Sequence, residues 1–73
     1  MNLIEAKKLA IEKMKEHDLH GWTFEFDNAK RRFGRCSWKL KTISLSKDLT
    51  KLNDRDRVLN TILHEIAHAL AGS

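Results

Sequence analysis

Proline is absent from this 73-residue chain, glycine occurs three times and cysteine once. With 41% apolar and 33% charged residues beside them, these shortages exclude collagen-like and low-complexity polymers and leave a compact folded protein. The lone Cys36 excludes an internal disulfide and agrees with a reducing compartment. No apolar run approaches the roughly 18 residues needed to span a bilayer. The amino terminus is charged and amphipathic, without the apolar block of a secretory signal. The expectation is a cytoplasmic, monomeric protein of one domain over residues 1–73, with no membrane partner. At this size a single core yields only about 3–5 kcal/mol of net stability.

Acidic residues are missing from one whole stretch. Between Asn28 and Lys47 the chain carries Lys30, Arg31, Arg32, Arg35, Lys39, Lys41 and Lys47 and no Asp or Glu, within a net charge of +4. Such a block either keeps a small protein soluble or meets a polyanion such as DNA by releasing counterions from phosphates. Lys30, Arg31, Arg32 and Arg35 are the candidate phosphate contacts, with Phe33 among them placed to anchor the loop or stack on a base.

The apolar pattern predicts an α+β fold. From Asn2 to about His17, Leu3, Ala6, Ala10 and Met14 line one helical face, with Asn2 as cap and Gly21 beyond the end. Trp22, Phe24 and Phe26 then alternate with Thr23 and Glu25, as in a half-buried strand. "RCSWKL" sets Cys36, Trp38 and Leu40 on one face, and "TISLS" does the same for Ile43 and Leu45. Three successive strands after a helix predict an antiparallel three-stranded sheet packed on that helix, although the connection near Lys41 lacks the Gly or Asn of a tight hairpin. Asn53, followed by Asp54 and Asp56, predicts a final helix over about 54–71, with Val58, Leu59, Ile62, Ile66, Ala69 and Leu70 on its apolar side. Arg57, Thr61, His64 and His68 point the other way.

That helix carries the chemistry. In "ILHEIAHAL", His64 and His68 are one turn apart, so both imidazoles can reach one zinc ion at about 2.0–2.1 Å. Glu65, rotated off the metal axis, reaches a water rather than the ion. It is placed to take the proton of that water and pass it to a departing amine. Cys36, Trp22 and Trp38 fall at strand positions that favour packing over chemistry. His17 and His20 precede the sheet and read as ordinary helix-end histidines.

"RRFGRCSWKLKTISLSKDL", followed by "VLNTILHEIAHAL", resembles the SprT-like family of zinc metalloproteases, over roughly residues 29–71. The shared pattern is a small residue, Arg and Cys opening one strand, a Leu-Ser pair ending the next, and then the zinc helix. The resemblance implies a gluzincin-like or minigluzincin-like α+β fold, His64 and His68 as ligands of a Zn2+ cofactor, Glu65 as general base, and protein substrates, including proteins bound to DNA. Family members place a third ligand, usually His, after the zinc helix, and many add a cysteine-rich ribbon. Neither follows within this sequence. The expectation is therefore a domain lacking its carboxyl-terminal part, inactive or metal-poor as it stands. The alternative is a non-catalytic nucleic-acid-binding module that uses the basic block over 30–47 and keeps the last helix as scaffold.

Overall fold

The computed structural model describes residues 1–72. Asn2 opens α1 (Leu3–Glu16), its side-chain oxygen accepting the Glu5 N–H at 2.8 Å. That bond satisfies one of the donors a helix start leaves unpaired. The helix ends where Asp18 turns into the left-handed region at φ 56° and the Leu19 N–H reaches back to the Met14 carbonyl at 3.0 Å. Of the expected face, Ala6, Ala10 and Met14 are buried and Leu3 is half-buried; of the two residues at its edges, Leu9 is buried and Ile11 is exposed.

The sheet comprises β1 (Thr23–Asp27), β2 (Gly34–Ser37) and β3 (Thr42–Ser46), in the spatial order β1-β3-β2. It is mixed, and this corrects the antiparallel sheet expected from the sequence. β2 and β3 form an antiparallel hairpin, but β1 runs parallel to β3, with Phe24 opposite Ile43 and Phe26 opposite Leu45. The cause lies in the loop over 28–33, which crosses the carboxyl end of β3 instead of doubling back beside β1. Ser46 ties the crossing. Its N–H donates to the Phe33 carbonyl at 2.8 Å, its hydroxyl donates to the Ala29 carbonyl at 2.7 Å, and the same oxygen accepts the Leu49 N–H at 3.2 Å.

The hairpin forms without Gly or Asn because Lys41 itself adopts φ 49° and donates its N–H to the Trp38 carbonyl at 3.3 Å. β2 therefore stops at Ser37. Trp38 and Leu40, expected to continue the buried face after Cys36, belong to the turn, and Leu40 is exposed.

A short helix absent from the sequence reading, α2 (Lys47–Leu52), follows β3 directly, with Ser46 as its cap. The Met1 amino group donates to the Thr50 and Asn53 carbonyls at its end, joining the start of α1 to α2. Helix α3 (Arg55–Ala71) then begins at Asp54, whose carboxylate accepts the Arg57 N–H at 3.0 Å. Val58, Ile62, Ile66 and Ala69 are buried as expected, Leu59 is half-buried and Leu70 is exposed.

Both long helices cover one face of the sheet, where the register gathers Phe24, Phe26, Gly34, Cys36, Ile43 and Leu45. Ile43 and Leu45, on the central strand, are wholly buried. Among the described residues no helix is long and apolar enough to cross a membrane.

Candidate metal and catalytic centre

β2 is an edge strand that lies against α3, and one residue lets it lie so close. A Cβ added at Gly34 meets Glu65 Oε2 at 2.9 Å, Glu65 Cγ at 3.0 Å and Thr61 Cγ2 at 3.0 Å. The glycine between Phe33 and Arg35 therefore sets the spacing between strand edge and helix. Gly34→Val is expected to push β2 off α3 and lower stability by about 1–3 kcal/mol, the usual cost of overfilling a packed contact. A urea midpoint unchanged from that of the parent chain would show that the strand sits less tightly than this geometry requires.

Glu65 is 8% exposed, although the helical pattern had set it between two outward-facing histidines. β2 is what covers it. Its carboxylate forms no ion pair among the described residues and lies in the wall of two adjoining grooves. One, of about 590 Å³, runs past Phe33, Arg57, Thr61 and His64. The other, of about 420 Å³, runs past Arg35, Cys36, Trp38 and His68.

His64 and His68 stand exposed where the grooves meet, and their Nε2 atoms are 3.2 Å apart with the rings at 86°. Two nitrogens bound to one tetrahedral ion at 2.0–2.1 Å are separated by about 3.3 Å. The spacing matches that separation and equally that of an imidazole–imidazole hydrogen bond, and imidazole is a donor that zinc accepts. Trp38 steadies the end of this helix. Its indole N–H donates to the His68 carbonyl at 3.2 Å, and its ring meets Trp22 edge-on at 5.4 Å between centroids.

No group of three or more His, Cys, Asp or Glu positioned to hold a metal occurs among the described residues. His17 and His20 accordingly do not join the pair. The His17 ring pairs through Nδ1 with the Lys13 carbonyl at 2.9 Å, and His20 lies 3.6 Å from Asp18. Cys36 sits near Glu65 without completing a site; burial pushes its thiol above the ordinary value and the Glu65 carboxylate adds to the rise.

The basic residues divide. Lys30 is drawn to Asp48 on α2, and Arg32 pairs with Asp27 at 3.1 Å. Desolvation opposes ionisation of Asp27, but the Ala29 N–H, Arg32 and Ser44 together hold its carboxyl below the ordinary value. Arg31 and Arg35 are exposed and form no ion pair among the described residues, and Arg32 and Arg35 border the groove beside His68.

The contact of Gly34 with Glu65 escaped the sequence reading, although glycine between Phe33 and Arg35 at the start of a strand was the available sign of close backbone approach. Comparison with curated proteins gives no match. Comparison with family models gives one that spans residues 4–72 and so takes in α1, the sheet and the histidine helix together. By that match, the chain belongs to the SprT-like family.

Proposed function

We propose that this chain is a zinc-dependent endopeptidase domain. The observation that carries the reading is the convergence of two imidazole Nε2 atoms at 3.2 Å beside a largely buried carboxylate that opens onto both grooves. His64 and His68 would hold the ion. Zinc there supplies Lewis acidity, polarising a peptide carbonyl and making water more acidic.

The remaining chemistry belongs to the chain. Glu65 accepts a proton from the attacking water on its carboxylate and returns it to the amide nitrogen as the peptide bond breaks. Shielding by β2 keeps that carboxylate from being fully solvated and fixes its direction. The free edge of β2 offers backbone N–H and C=O groups along which an extended substrate can add as a further strand, bringing one of its peptide bonds to the histidine pair. A three-ligand catalytic site needs one donor beyond the two histidines. On this reading, that donor comes from outside the described residues.

A metal-binding experiment tests the proposal without relying on turnover. Zinc titrated into the purified protein is expected to bind at no more than one equivalent, weakly where the two imidazoles are the only donors, and His64→Ala or His68→Ala is expected to remove that binding. Unchanged stoichiometry in either variant would place the metal elsewhere. The rival reading, a DNA-binding module working through Arg31, Arg32 and Arg35, rests on the exposed Arg31 and Arg35 and on Arg32 at the groove rim. In that case, DNA affinity falls steeply with salt and is indifferent to chelators.

A further inference from the structure

We infer that Arg57 selects substrates with an acidic side chain on the carboxyl-terminal side of the bond cleaved, an inference that rests on the peptidase reading and names its substrate class. Arg57 lines the same groove as His64 and Glu65, is exposed, and forms no ion pair among the described residues. The nearby Asp54 accepts the Arg57 backbone N–H instead. Among the described residues, Glu65 is the only carboxylate in the groove wall. The end away from the histidines therefore carries a guanidinium that forms no ion pair among the described residues, the neighbouring Asp54 carboxylate being engaged by the helix start. A substrate carboxylate there gains a charge-assisted pair with a planar guanidinium, whereas a lysine is repelled.

For a peptide that pairs antiparallel with β2, the pairing assigned here, the strand fixes the direction. Gly34 lies against Thr61 and Glu65, while Trp38 reaches the His68 carbonyl, so β2 runs alongside α3 in the same sense. A peptide pairing antiparallel with the free edge of β2 runs the opposite way. Its amino-terminal part lies beside Trp38 and its carboxyl-terminal part beside Phe33 and Arg57. Arg57 precedes His64 by two helical turns, about 10 Å along the axis, which an extended peptide covers in about three residues. The acidic side chain thus belongs at the second or third residue after the cleaved bond.

The test uses three peptides that differ only at those two residues, bearing Glu, Gln or Lys. Cleavage by the full-length protein is followed by mass spectrometry, and binding of the labelled peptides by anisotropy in the Glu65→Gln background. The Glu peptide is expected to be preferred over the Lys peptide by roughly three- to tenfold in both assays. Arg57→Glu should reverse the order and Arg57→Lys should keep it. An acidic residue in the first turn suits the helix dipole, so the charge reversal does not endanger folding. The same order in the parent and in Arg57→Glu overturns the inference. So does a variant that loses affinity for a labelled DNA duplex while its peptide order stays unchanged. If no peptide is cleaved, the peptidase reading fails on its own, and the anisotropy order still decides the role of Arg57.

Discussion

Glu65→Gln in the full-length protein is expected to lower peptide cleavage by about a hundred- to ten-thousand-fold, the span general-base catalysis contributes, while the zinc content stays the same. The amide matches the carboxylate in shape, so the contact with Gly34 at the Oε2 position survives and β2 keeps its place. What is lost is the ability to take a proton. Glu65→Ala is a poorer probe, because it also empties the space under β2 and mixes a packing defect with the chemical one. Cleavage retained by the Gln variant at the parent rate would remove Glu65 as the base, and zinc lost together with activity would make it a ligand instead.

The second large effect is on the fold. Ile43 sits at the middle of the central strand, wholly buried, with Phe24 opposite it on one side and Cys36 on the other. Ile43→Ala is expected to cost about 2–5 kcal/mol, because the lost contacts leave a cavity that strands fixed on both sides cannot close. A domain of this size has only about 3–5 kcal/mol in total. The variant should therefore be largely unfolded at 25 °C by circular dichroism. Leu52→Ala is the matched control; Leu52 is 78% exposed, so its truncation should change stability by less than about 0.5 kcal/mol. Similar urea midpoints for the two variants would mean that the centre of the sheet is not the centre of stability.

The elements were legible where one residue's local chemistry decides them. Asn2 and the apolar spacing after it specify α1, and the alternation of Trp22, Phe24 and Phe26 marks β1, because both signals act within a few residues. Strand pairing is a different kind of information. Nothing in "TISLS" says which neighbour lies on each side, and the parallel pairing of β1 with β3 depends on where Ser46 holds Ala29 and Phe33.

The site divides in the same way. The turn-apart spacing of His64 and His68 was enough to anticipate their convergence, since one helix sets it. The burial of Glu65 was hidden, because it comes from β2, thirty-one positions away at Gly34. Helix α2 was hidden for a related reason. Ser46 reads as a strand residue by alternation, while its hydroxyl also caps the helix that follows. The basic block, uniform along the sequence, is divided in space by Asp27 and Asp48, which claim Arg32 and Lys30.

The placement of α1 against α3 has a consequence for the order in which this chain acquires its shape. The β2–β3 hairpin closes across a four-residue turn and can zip early, whereas α1 finds its principal partner only some fifty residues downstream. During synthesis, the apolar stripe of Ala6, Leu9, Ala10 and Met14 emerges well before the helix that covers it. The histidine helix is thus also the latch that closes the core over α1, and the apolar face of α1 stays uncovered until that helix docks.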